Sequence, residues 1–367
     1  MFEMVSASLI ERDRRWHNIR RELERNGLDG LLVVSDGQLE RRGSLRYVSN
    51  VRASATLRYG YVVFPREGEP IGINLKDGWV KDKRALSFRG GWVGESDPYA
   101  SVITELIKEL NIETGYIGIE GDFIPAPVYQ KLIKELPGAA FKFSNVINEL
   151  KMVKSPEEIS LVEKGVETVD KAYEACFEYA RTGKTWNDIT SEVYKILYQL
   201  GAEDIGGYPL SRSNDVIESG DIYNLYPEPQ ASGGYWIQFG RLISFGEPNK
   251  ELRSAWELDI KAQVLAADKL RPGSTGGDIA RTINDALKGS RYTGATRGSG
   301  HGVGLDIIER PFISLDDETV LKPGMVIAIH PIFSPHPRVF EAVGDTFVVT
   351  EDKPRKLSKI TPEIKVR

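Results

Sequence analysis

Gly300-His301-Gly302-Val303-Gly304-Leu305-Asp306 is the stretch from which the rest of the chain is read. A histidine held between glycines suits close approach of neighbouring backbone and an exposed imidazole, the setting of a general acid/base or a substrate donor. Further on, Leu321-Lys322-Pro323-Gly324-Met325-Val326-Ile327-Ala328-Ile329-His330-Pro331 runs from a turn into an apolar strand that ends on a second histidine. Upstream, Leu270-Arg271-Pro272-Gly273-Ser274-Thr275-Gly276-Gly277-Asp278 separates two helical patterns, Glu251–Leu270 and Gly277–Leu287.

Outward from this core lie two strand-rich stretches, Asp221–Phe245 and Met325–Val349. Before them, Ser155-Pro156-Glu157-Glu158 combines a capping serine, a proline fit for the first helical turn and a glutamate at the capping-box position. A long helix starts there, with Ile159, Val162, Val166, Val169 and Tyr173 at helical spacing, and Thr185–Leu200 forms a second. Residues ahead of this boundary alternate. The spacing of Ile10, Trp16, Ile19 and Leu23 predicts an amphipathic helix over Ser8–Asn26 that ends at Gly27. Strands follow at Leu31–Val34, Leu45–Val51 and Tyr59–Phe64, then a helix over Ser101–Leu110, a strand at Tyr116–Glu120, a helix over Ala126–Leu136 and a short strand at Phe141–Phe143. The expected architecture is α+β, with an α/β domain over residues 1–150 and a second domain over residues 151–367.

Composition narrows the partners. The 367 residues carry 48 Lys+Arg against 53 Asp+Glu, a net charge of −5 with no polybasic run, which argues against a nucleic-acid or anionic-membrane surface and for a small-molecule substrate. One cysteine, Cys176, excludes an intrachain disulfide framework; within Ala172-Tyr173-Glu174-Ala175-Cys176-Phe177 it reads as a buried helix position. The charged N-terminus is unlike a signal peptide, and no apolar run approaches the roughly 18 residues of a membrane span. A cytoplasmic location is expected.

The three motifs together resemble the pita-bread family of methionine aminopeptidase, Xaa-Pro aminopeptidase, prolidase and creatinase, in order across roughly residues 150–350. The first domain resembles the N-terminal domain of the creatinase and prolidase branch, on Gly30-Leu31-Leu32-Val33-Val34 followed by Leu45-Arg46-Tyr47-Val48-Ser49. The resemblance implies a creatinase/prolidase-type α/β domain followed by a pita-bread domain. It also implies a test, because the metallopeptidases of that family hold two divalent ions through two Asp, one His and two Glu. The first Asp falls at Tyr226 or Pro227, depending on where a one-residue insertion is placed, and the second at Gln238. His301 matches the histidine, His330 stands where the motif has Glu, and the last Glu aligns with Gly344 before Asp345. One ligand of five survives, so no dinuclear centre, no metal and no cofactor are expected.

That pattern is similar to creatinase, the family member that works without a metal. The similarity implies a metal-independent hydrolase of a C–N bond in a small carboxylate-bearing molecule, with His301 and His330 transferring protons. Thr56-Leu57-Arg58-Tyr59-Gly60 occupies the place of a creatinase segment that reaches the neighbouring subunit's site. A homodimer is therefore expected, in which Arg58, or Arg52 upstream, holds the substrate carboxylate for the partner. Creatine itself is disfavoured: Gly206–Ser219 contains no histidine, and a carboxylate position aligns with Gly240. Tyr226, Tyr235, Trp236 and Gln238 would line the former metal floor, His336 is read on a rim loop, and Glu228 or Glu341 would return a carboxylate by a shift of register. Arg241 keeps its family position. Three alternatives stand beside this reading: a lyase or decarboxylase on the same scaffold, an Xaa-Pro peptidase-like metalloenzyme with a site rearranged around His301, His330 and Glu341, with or without Asp345, and a non-catalytic binding module.

Overall fold

The computed structural model describes residues 6–35, 37–52, 60–73, 75, 77–84, 98–206, 213–292, 298–336, 339–341 and 343–367; in the strands at 82–84, 333–336 and 339–341 it describes the backbone, with the side chain of Arg84 alone. Arg58 lies outside the described residues, and so do the side chains of His336 and Glu341. The chain divides into two compact units, Ser6–Lys151 and Met152–Arg367. No helix among the described residues is long and apolar enough to cross a membrane.

In the first unit α1 (Leu9–Arg25) starts where the Ser8 hydroxyl accepts the Glu11 amide at 3.1 Å, and Gly27 at φ 62° turns the chain away. Trp16, Ile19 and Leu23 are buried as expected, but Ile10 is exposed. Glu11 and Arg15 form the inward row instead, joined at 2.8 Å, with the guanidinium 4.6 Å from the Tyr47 ring centre. The sheet contains β1 (Gly30–Ser35), β2 (Gly60–Pro65), β3 (Ile71–Ile73), β4 (Asp82–Arg84), β5 (Tyr116–Glu120) and β6 (Ala140–Ser144) in the order β4-β3-β2-β1-β5-β6. The strand expected over Leu45–Val51 is a helix, α2 (Gly43–Ser49), ended by Asn50 at φ 54°. All seven of its residues are buried, so its apolar run carries no amphipathic period to mark it as helical. α3 (Pro98–Glu109) and α4 (Ala126–Glu135) pack Ile103, Leu106 and Leu132 against Leu32, Val63 and Ile117 of the sheet. The short α5 (Val146–Met152) closes the unit.

The second unit repeats one order twice: a helix pair, then a set of short strands. α6 (Pro156–Tyr179) and α7 (Trp186–Gln199) precede β7 (Asp204–Gly206), β8 (Ile222–Leu225), β9 (Glu228–Gln230) and β10 (Arg241–Ser244). α8 (Lys250–Ala267) and α9 (Gly276–Leu287) precede β11 (Gly300–Gly302), β12 (Glu309–Phe312), β13 (Val326–Ile329), β14 (Phe333–His336), β15 (Val339–Glu341), β16 (Asp345–Val348), β17 (Arg355–Lys356) and β18 (Lys365–Val366). Capping boxes start three of the four helices: Ser155 with Glu158, Thr185 with Asp188, and Thr275 with Asp278. Cys176 is buried on α6, and burial pushes its thiol well up from its ordinary value.

The five-stranded sheet runs β12-β11-β13-β16-β17. β11 sits so close to both neighbours that a Cβ at Gly300 would fall 2.4 Å from the Ala328 carbonyl oxygen, and one at Gly302 would fall 2.2 Å from that of Arg310. Ile327, Ile329 and Phe347 point to the core beneath, with Ile279, Ile283 and Leu287 of α9. Strand alternation sends the intervening residues to the opposite face.

Candidate active site

That opposite face is built by register. His301 pairs with Ala328 across β11 and β13, and Ala328 pairs with Thr346 across β13 and β16. His330 lies two residues beyond Ala328 on the same face, one step past the Ile329–Asp345 pair and therefore beside Gly344. The His330 amide donates to the Ser299 carbonyl at 3.0 Å, which locks the end of β13 to the start of β11. As a result the two imidazoles meet, ring centres 5.3 Å apart and planes at 65°.

Both rings are buried, correcting the exposed imidazole expected at His301. Burial lowers the pKa of His301, opposed in part by its hydrogen bond with the Gly302 carbonyl and by the nearby Glu309 carboxylate. Burial lowers His330 much further, and the neighbouring His301 adds to the shift. The Nδ1 atom of His301 lies 2.9 Å from the Gly302 oxygen, so Nδ1 carries the hydrogen and Nε2 keeps its lone pair. Both shifts favour the uncharged imidazole.

The rest of the floor is rebuilt around them. Tyr226, Trp236 and Gln238 are all buried. A Cβ at Gly344 would lie 3.3 Å from the Tyr226 ring, so the aromatic ring fills space beside the position where the motif has Glu. The Tyr226 hydroxyl is buried with no hydrogen-bond partner among the described residues. Gln238 is tied through its backbone: its amide donates to the Thr346 hydroxyl at 3.2 Å, and that hydroxyl donates to the Gln238 carbonyl at 3.0 Å. The Trp236 amide donates to the Gly304 carbonyl at 2.8 Å, joining this segment to the glycine motif. Glu228 stands at the start of β9, paired with Gly206, and burial raises its carboxyl to about 7.

Asp345 takes no part in the floor. Alternation turns it away from His330, and Arg241 donates to it at 2.8 Å while the Lys356 ammonium lies 3.2 Å off. Arg241 also donates to the carbonyls of Gly240, Gly344, Ile360 and Thr361, a structural role. Arg52 is exposed on the first unit. The rim loop expected at His336 is a strand, β14, which pairs with β15 in a hairpin that carries Glu341.

Three residues that sequence reasoning passed over hold the site in place. Asp259 on α8 is fully buried, and its two oxygens accept the amides of Ile332 at 3.1 Å and Val343 at 2.9 Å, gripping both legs of the β14–β15 hairpin. Burial drives its carboxyl well above the usual range. Lys154 and Glu309 form a buried ion pair at 2.7 Å, and the second Glu309 oxygen accepts the Asp306 amide in the glycine motif. No local pattern marks these partners, which lie 73, 84 and 155 positions apart in the chain.

The fold and this floor define a two-domain pita-bread protein with a creatinase/prolidase-type first domain. Residues 206–351 match the family model of metallopeptidase family M24, and residues 15–153 match that of the creatinase/prolidase N-terminal domain. An Xaa-Pro dipeptidase of Pyrococcus furiosus is 32% identical over 284 residues, covering 71% of this chain and 78% of the relative. One from Pyrococcus horikoshii is 27% identical over 365 residues, 93% and 96% of the two chains. Among solved structures, a prolidase from Thermococcus sibiricus superposes with a TM-score of 0.81 at 22% identity (99% and 100% covered), and an Xaa-Pro dipeptidase from Bacillus anthracis with 0.78 at 21% (97% and 100%). The chain belongs to metallopeptidase family M24, a family of hydrolases.

These relatives overturn the expectation of a metal-independent, creatinase-like hydrolase of a non-peptide molecule, since the similar proteins are named as dipeptidases within a metallopeptidase family. Ligand counting misled for a physical reason: the donors present determine how many ions a floor can hold, not which bond is cut. The donor set itself does not fit a two-metal centre. Two dications need several anionic oxygens, and among the described residues no group of three or more His, Cys, Asp or Glu side chains converges.

Proposed function

We propose that this chain is an Xaa-Pro dipeptidase-type hydrolase whose floor has been rearranged around His301 and His330. The observation that carries the reading is the meeting of the two buried imidazoles at 5.3 Å on the face of the β11–β13–β16 sheet opposite the α9 core. Amide hydrolysis needs a proton taken from the attacking water and one given to the departing nitrogen, and a tertiary prolyl nitrogen leaves poorly unless it is protonated. Two uncharged imidazoles serve both needs with a single proton, because protonating one ring disfavours protonation of the other and keeps the proton transferable. The dipeptide carboxylate requires a cation, for which the reading uses Arg52 or Arg58 from the partner's first domain in a homodimer.

The test is proline release from a panel of Xaa-Pro dipeptides and their Xaa-Ala counterparts, with the protein chelated and then supplied with Mn²⁺, Co²⁺ or Zn²⁺. Hydrolysis selective for proline is expected. His301→Ala and His330→Ala should each lower kcat by about 10²–10⁴-fold, and Arg52→Ala should raise KM. No proline release under any metal condition overturns the reading.

A further inference from the structure

We infer that the Tyr226 hydroxyl is the oxyanion donor of this site, the group that stabilises the carbonyl oxygen of the scissile amide as that oxygen gains charge. Strand register places it there. The Leu225–Arg241 pair of β8 and β10 continues one step to set Tyr226 beside Gly240. Gly240 and Gly344 exchange hydrogen bonds, each amide donating to the other's carbonyl at 3.0 and 3.3 Å, and Gly344 lies beside His330. One row therefore crosses four strands as Tyr226, Gly240, Gly344 and His330, with its side chains on a single face. The two middle positions carry no side chain, and the Tyr226 ring extends over them. The ring atom 3.3 Å from a Cβ at Gly344 is Cε2, which neighbours the carbon that bears the hydroxyl. The hydroxyl end of the ring thus stands beside Gly344, one strand spacing of about 4.8 Å from the strand that carries His330.

The hydroxyl itself points to a ligand. Tyr226 is 4% exposed, and its hydroxyl has no hydrogen-bond partner among the described residues, which is unfavourable in the interior. Phenylalanine would fill the same space without that penalty. The Thr346 hydroxyl on the same face is committed to the Gln238 carbonyl at 3.0 Å, whereas the phenol has a hydrogen to donate. The inference rests on the hydrolase reading for its chemistry. As the water oxygen bonds to the carbonyl carbon, the C=O π pair moves onto the carbonyl oxygen, which accepts the Tyr226 hydrogen bond while the proton stays on the phenol. One proton of the water passes to the histidine pair. When the electron pair on oxygen re-forms the C=O bond, the C–N bond breaks and that same proton goes to the prolyl nitrogen, giving a carboxylic acid and proline. The imidazoles move the proton, and the phenol holds the charge.

The experiment compares full-length wild type and Tyr226→Phe in proline release and in binding of a phosphinic analogue of an Xaa-Pro dipeptide, whose tetrahedral P–O⁻ mimics the charged intermediate, under each metal condition used above. Tyr226→Phe should lower kcat about 10²–10³-fold and change KM by less than about threefold. The analogue should bind the variant at least about tenfold more weakly, while Tyr198→Phe, at an exposed position on α7, leaves both readouts unchanged. The Tm of Tyr226→Phe should equal or exceed that of wild type, and a fall of more than about 4 °C would assign the hydroxyl to the fold instead and overturn the inference. An unchanged kcat, or analogue binding indifferent to the substitution, also overturns it and leaves the hydrolase reading standing. Wild type that binds the analogue through Tyr226 yet releases no proline sinks the hydrolase reading alone, and wild type that does neither sinks both.

Discussion

Replacing Lys154 by methionine should destabilise the second unit far more than a surface lysine would. The Lys154 and Glu309 side chains are 2% and 4% exposed and meet at 2.7 Å. Methionine removes the ammonium and keeps most of the chain's volume, so Glu309 keeps its buried carboxylate and its Asp306 amide but loses the Lys154 charge that it meets at 2.7 Å. Stranding one member of a buried pair costs about 3–5 kcal/mol. For a unit of this size each kcal/mol moves Tm by about 2–4 °C, so a drop of about 6–20 °C is expected. Scanning calorimetry on the wild type, Lys154→Met, Glu309→Gln and the double variant closes a thermodynamic cycle. Glutamine keeps an acceptor for Asp306, and with both charges removed the double variant should recover at least half of the single-variant loss. A loss below about 1 kcal/mol in Lys154→Met, or strictly additive effects, refutes the claim that the two charges hold each other in the interior.

Two further outcomes follow from buried carboxylates. Glu120, at the end of β5, is raised by burial to about 7, so the folded state holds its proton more tightly than the unfolded chain does. Its contribution is therefore fully present below about pH 4.5 and is lost as pH rises through 7, by about 3 kcal/mol in all. Urea titrations of Glu120→Gln from pH 5 to 8 should show that loss removed, and identical pH profiles for the two proteins would disprove it. Asp259→Ala strands the Ile332 and Val343 amides at about 1–3 kcal/mol each. Hydrogen exchange should speed up at both positions, and unchanged protection there would show that Asp259 does not grip the hairpin.

Much of the fold was legible because its signals are local. The boundary at Ser155-Pro156-Glu157-Glu158 was readable from capping chemistry alone, since serine, proline and glutamate each satisfy or avoid an orphan amide within one turn. Leu45–Val51 was misread because α2 is buried on every side, and a periodicity argument needs a solvent face. Ile10 was misplaced for the opposite reason: a paired Glu11–Arg15 row, polar by composition, turned inward. At the site, the two histidines were found through family register, but their distance was not readable, because it depends on strand pairing between segments about 30 residues apart. The Tyr226–Gly344 fit, the Asp259 grip and the Lys154–Glu309 pair are long-range and leave no trace in local pattern.

The tightness of β11 bears on what its motif can testify to. Any side chain at residue 300 or 302 would strike a neighbouring carbonyl, so those glycines are demanded by the sheet whether or not anything reacts above it. A descendant that had abandoned catalysis altogether would still have to keep them. The signature that first draws the eye is thus a record of architecture before it is a record of chemistry.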